Sequence, residues 1–219
     1  MKFNFAIVLL VSILLGSTEG FTQNNAQEQL AYEKTLDQRA TKMLAPMQLI
    51  DSAKYNEVKA MIVAQYKALN QVHEEKATQI AAEKKKGDIE QSAKEANLKS
   101  IEDAADNRLM ILHKEYLARL SSKLNDNQVN EIKNGMTFGV LPVTVKAYND
   151  MIPSLKEAEK KQILTWLTEA RELAMDAGSS EEKHRIFGKY KGRINNYLSK
   201  NGYDLEKERD AWNKRRGSK

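Results

Sequence analysis

The side chains best suited to chemistry fall in one stretch, Met175 to Asp204, which mixes four glycines, three serines, a histidine and several aromatics with basic residues. His184, Lys189, Tyr190, Lys191, Arg193 and Asn195 are its candidate ligand-binding residues. Cations alternating with an aromatic ring suit a carboxylate-bearing sugar, since guanidinium and ammonium groups hold the charge while the ring covers an apolar sugar face. A catalytic version uses the same residues, with His184 as general base, Tyr190 as acid and Arg193 on the substrate carboxylate. Ser180 stands four residues before His184, the spacing of a nucleophile and its base on one helix face. No orienting acid or oxyanion hole can be read from the chain, and serine at a helix start ordinarily caps. The catalytic residues are therefore left unassigned.

Two other constellations carry less. Glu169, Glu172 and Asp176 recur at i, i+3 and i+7, so their carboxylates share a helix face, the ordinary arrangement of a solvated surface. His73 and His113 lie 14 residues before and 26 after Gly87. In a hairpin turning at that glycine they would stand about 18 Å apart along the axis, which excludes a shared metal. H-E-x-x-H, C-x-x-C and Walker spacings are absent, so neither metal nor cofactor is expected.

The elements that position these residues read as helices. Alanine, lysine, glutamate, glutamine and leucine abound, whereas the 219 residues contain only 3 prolines; this favours an all-α fold. A first helix over 26–44 stops at Pro46. Asp51 then caps a helix to Lys86, and the turn Lys84–Asp88 leads to another reaching Leu124. The pair forms a long antiparallel hairpin of about 50 Å. Asn125 and Gln128 have capping-box spacing. Leu124 to Gln128 also resembles the leucine-x-x-x-glutamine signature of Spy-like periplasmic chaperones. G-M-T-F-G-V-L-P-V-T at 135–144 breaks the helical period and is expected to be an apolar irregular loop. Ser154-x-x-Glu157 should cap a helix that ends at Gly178, and Ser179-x-x-Glu182 should cap the next. Gly188 and Gly192 within that last helix cost about 1 kcal/mol each relative to alanine, which implies close approach of another helix, the favoured reading, or of a flat ligand. Asp204 caps a final helix whose charged end, Lys214–Lys219, should fray.

Charge and the N-terminus bound the setting. Net charge is +5, yet residues 21–182 carry 22 basic and 25 acidic side chains and residues 183–219 carry 12 and 4. A basic C-terminal face attracts anions. Residues 1–20 read as a signal peptide: Lys2, the apolar run Phe3–Leu15, then Thr18 and Gly20. Cysteine is absent, so no lipoprotein anchor follows and stability rests on packing. The expectation is a periplasmic or secreted protein with no nucleic-acid partner and no stable membrane insertion after cleavage.

The signal, the charged hairpin, the segment at 135–144, A-M-D-A-G-S-S-E-E-K-H at 174–184 and F-G-K-Y-K-G-R-I-N-N-Y-L at 187–198 together resemble a family of uncharacterised secreted helical proteins from Bacteroides-like bacteria. The resemblance implies a periplasmic or secreted helical protein, often encoded near polysaccharide-degradation genes. It implies no activity and transfers no catalytic residue. The resulting expectation is one all-helical domain over 21–219, with the hairpin at 51–124, a compact helical part at 125–205 and a charged tail at 206–219. The function expected is non-enzymatic binding of an acidic glycan or a client protein, and the alternative is a hydrolase or lyase acting on acidic polysaccharide fragments.

Overall fold

The computed structural model describes residues 18–49, 51–87 and 90–217; the apolar run of the expected signal peptide lies outside them. Among the described residues the chain is all-α, with eight helices and no strand: α1 (Thr18–Leu44), α2 (Ser52–Lys85), α3 (Gln91–Ser121), α4 (Asp126–Met136), α5 (Val140–Met151), α6 (Glu157–Met175), α7 (Ser180–Lys200) and α8 (Leu205–Gly217). None of these helices is long and apolar enough to cross a membrane.

Asp51 caps α2 as its sequence requires, accepting from Ala53 N at 2.8 Å, and Val58, Ile62, Leu69 and Val72 bury the stripe behind it. The α2–α3 contacts nest antiparallel: Glu57 with Lys123 at 2.7 Å, Lys76 with Asp106 at 3.6 Å and Glu83 with Asn97 at 2.9 Å. These pairs centre the hairpin near residue 90 instead of Gly87. The register therefore leaves His73 and His113 only about 8 Å out of step along the axis, and the separation expected from sequence is wrong.

Two apolar clusters form. The first joins α1, α2, α3 and α4 with Met175; the second joins α5, α6 and α7. α4 thus packs with the hairpin, and its capping box is present, with Asn125 and Gln128 each bonding the other's backbone N–H. Gln128 and the buried Leu124 are in this way absorbed by a helix start and by the core.

The segment 135–144 is helical except at its centre, which corrects the loop reading. Pro142 falls in the first turn of α5, where a missing N–H leaves no broken bond. The turn itself uses Phe138 at φ 57° and Gly139 at φ 65°. A phenylalanine in the left-handed region is strained by roughly 1 kcal/mol or more, and this one is 60% exposed.

Other helix ends also differ from expectation. α6 starts two residues beyond the Ser154 box, where Glu159 accepts from Lys156 N at 2.8 Å and from the Tyr203 hydroxyl at 2.6 Å. α8 continues through 214–217, where Arg215 donates to Asp150 O and Met151 O, the C-terminal carbonyls of α5, and the rest of the expected frayed end, 218–219, lies outside the described residues. Ser179 Oγ accepts from Glu182 N at 3.0 Å, as read from the sequence.

The glycines sort by what surrounds them. Gly178 is not a left-handed helix terminator; a Cβ there would lie 2.7 Å from Cγ of the His73 ring. At Gly188 and Gly192 a Cβ would meet nothing within 4 Å, so the expected helix packing is not observed. Gly188→Ala should therefore stabilise the protein by about 0.5–1 kcal/mol, whereas Gly178→Ala should destabilise it by about 2 kcal/mol through displacement of the ring. Urea melts of both variants check this, and a destabilised Gly188→Ala would contradict it.

Candidate functional site

α7 presents three flanks, and the six sequence candidates divide among them. Phe187, Tyr190, Ile194 and Leu198 fill the second apolar cluster. Tyr190 is part of this core, and burial, with the Glu169 carboxylate acting in the same sense, pushes its hydroxyl up to about 12. His184 is exposed and stacks on Phe138, ring centroids 6.0 Å apart. Lys191 and Asn195 share its flank and face α5, where the Tyr148 hydroxyl donates to Asn195 Oδ1 at 2.7 Å and lies 3.4 Å from Lys191 O. Arg193 lies on the far side, its guanidinium 4.4 Å over the Trp166 ring and 3.9 Å from Glu169. Lys189 borders that same groove. Nine residues separate His184 from Arg193, about 180° around the helix. A base at His184, an acid at Tyr190 and a carboxylate clamp at Arg193 therefore do not converge. The catalytic constellation is not assembled, and the six residues do not form one site.

The structure instead concentrates polar groups in the seam between the two apolar clusters. His113 Nδ1 stands 2.8 Å from Asp176 Oδ2, off the line of a well-formed hydrogen bond. Its Nε2 is 3.4 Å from Glu172 Oε2, and Lys133 Nζ reaches that oxygen at 2.8 Å. His73 Nε2 meets Asp176 O at 2.7 Å. Buried Arg171 donates to Asn130, Asn134 and Glu172 at 3.0–3.2 Å. The close carboxylate of Asp176, and then that of Glu172, raise His113 to about 9 against the opposing effect of burial. Burial would lift Glu172, but His113, Lys133 and Arg171 outweigh it and hold the carboxyl at about 2. Glu172 and Asp176 are consequently structural anchors and not a solvated face, while Glu169 alone turns toward Arg193. Among the described residues no group of three or more histidine and acidic side chains can hold a metal ion.

On the other side of the 176–180 turn lies an open cavity of about 770 Å³, within the size range of small-ligand sites. It brings together both signature segments: Phe138 and Gly139 from one, Ser179, Ser180 and Lys183 from the other. α1 adds Tyr32, Arg39 and Lys42, and α2 adds Tyr66. Lys183 is only 6% exposed, and its ammonium donates to Met136 O at 3.2 Å and Met175 O at 3.4 Å. These are the last carbonyls of α4 and α6, so one cation ties the ends of two helices to the start of a third. Burial, reinforced by Arg39, brings its pKa down to about 8. Among the described residues neither Arg39 nor Lys42 is paired with a carboxylate; Glu131 is the one acidic side chain in the wall. The α7 N-terminus contributes less than its position suggests, because Ser179 and Glu182 already occupy the amides of Glu182 and Gly178.

Sequence reading missed Arg39, Lys42 and Tyr66, since each sits at ordinary helical spacing on a helix remote in the chain. The available signal was the pair of helix-breaking segments, which single out Phe138 and the 178–183 turn.

Fold and cavity define an all-helical, two-cluster protein in which a polar seam backs a cation-lined aromatic cavity. Residues 33–217 match the family DUF3826, described as a protein of unknown function, and the chain belongs to that family. No curated protein matches the chain.

Proposed function

We propose that this is a periplasmic or secreted, non-enzymatic binding protein for an acidic glycan, and that the cavity between α1, α2, α4 and the start of α7 receives the ligand. The observation that carries the reading is the wall composition: Arg39, Lys42 and Lys183 against the single carboxylate of Glu131, with the rings of Tyr32, Tyr66 and Phe138 beside them. Cations of this kind bind uronate carboxylates, and exposed rings cover the apolar face of a sugar. Retention of a strained, exposed Phe138 supports the same reading, because strain kept at a cavity rim marks function more often than packing. Export from the cytoplasm rests on the signal-like N-terminus.

Calorimetry with trigalacturonate tests the proposal. The wild type should bind, less tightly as salt rises, and a neutral trisaccharide of similar size should not. Arg39→Ala should weaken binding about tenfold or more, in line with loss of a charge-assisted contact. Phe138→Gly should weaken binding as well while raising stability by about 1 kcal/mol through relief of the left-handed strain. No wild-type binding, or affinities unchanged in both variants, would remove the basis for the proposal.

A further inference from the structure

We propose that the groove between α6 and α7 is a second, separate site for the same class of ligand, so that the protein bridges two segments of a polyuronate chain. Trp166 is half-buried and Tyr197 meets it edge-on at 5.3 Å, which makes a rigid aromatic floor. Lys189, Arg193 and Lys200 rim it, and all three are exposed. The acidic group against this rim is Glu169, 3.9 Å from Arg193. The charge is therefore complementary to a polyanion, and the open trough suits a passing chain more than a chain end.

The groove and the cavity lie at opposite ends of α7, the cavity on Ser179, Ser180 and Lys183 and the groove on residues from Lys189 to Lys200. His184, stacked on the cavity residue Phe138, and Arg193, seated over Trp166, are about half a turn out of phase and roughly 14 Å apart along the axis. One short oligosaccharide cannot occupy both ends of the helix, but a long polymer, or two polymers, can. Two linked weak sites then give a polymer affinity well above that of either alone. The inference shares its ligand class with the cavity reading, but it rests on different side chains.

The test compares trigalacturonate by calorimetry with polygalacturonate by affinity electrophoresis and turbidity, using the full protein. Lys189→Ala combined with Lys200→Ala alters exposed residues only. It should leave trigalacturonate affinity within twofold, reduce polygalacturonate affinity at least tenfold at low salt, and abolish polymer cross-linking turbidity. Trp166→Ala should reproduce the polymer defect, with helical signal confirming the fold. Unchanged polymer affinity and turbidity in the lysine variant would overturn the second site, whatever the cavity does. Loss of trigalacturonate binding in Arg39→Ala alone, with polymer still retained, would support both sites. Loss of polymer binding only when Arg39 is replaced would assign all binding to the cavity and overturn the second site.

Discussion

Raising the pH from 5 to 8 should cost the protein about 2 kcal/mol of folding stability, and His113→Gln should remove most of that dependence. The sign follows from the direction of the shift. His113 is lifted from an ordinary 6.5 to about 9, so the folded state holds its proton more tightly than the unfolded chain does. Its contribution is complete below about pH 6.5 and is lost as pH rises through about 9. The groups responsible come from different elements: Asp176 and Glu172 from the end of α6, with Lys133 of α4 sharing Glu172. Lys183 acts in the opposite sense, because burial lowers it to about 8. Its charged form is unfavourable at low pH, and that penalty is relieved only between about pH 8 and 10.5. The interval from 5 to 8 therefore reports mainly on His113. For a chain of this size the loss corresponds to a melting temperature lower by about 4–8 °C. A slope of equal size in wild type and His113→Gln would show that the seam does not hold this proton.

The second large effect is expected at Arg171. Its side chain is 7% exposed and bonded to Asn130, Asn134 and Glu172, which joins α4 to α6 across the seam. Arg171→Met fills similar volume but leaves the half-buried Asn134 amide oxygen and part of a carboxylate without donors, while the exposed Asn130 turns to water. Breaking a buried charged network from one side costs about 3–5 kcal/mol, so a melting temperature lower by roughly 6–20 °C is expected. Arg193→Met, by contrast, removes an exposed cation whose ion pair is worth less than about 1 kcal/mol. Equal effects of the two substitutions in chemical denaturation would contradict the assignment of the seam as a principal join between the two halves.

The all-helical class, the positions of α2, α4 and α7, and their caps at Asp51, Asn125 and Ser179 were legible because each depends on neighbours within four residues. The errors share a different origin. Pro142 and the glycines at 135 and 139 looked like a loop because local propensity cannot reveal that a proline falls in a first helical turn. Gly178 looked like a helix terminator because the ring of His73, 105 residues away in the chain, is invisible locally. His73 and His113 were placed too far apart because hairpin register depends on where α3 begins, which no side chain near Gly87 dictates.

The candidate site divides along the same line. Periodicity correctly put Phe187, Tyr190 and Ile194 on an inward stripe of α7, and composition correctly put excess positive charge in the C-terminal part of the chain. Which cations meet which aromatics was settled only by packing. Arg39, Lys42 and Tyr66 line one cavity with Lys183 and Phe138 because α1, paired with α2, packs on α4, and α4 packs on α6, and such meetings between distant helices leave no periodic trace. By itself the chain of residues determined the helices, their caps and their buried faces, because hydrogen bonding and burial within a helix are short-range. The tertiary structure alone decided that His184 and Arg193 point apart, that Asp176 and Glu172 are anchors, and that the two interrupted segments close around one cavity, because those outcomes depend on how rigid helices settle against one another.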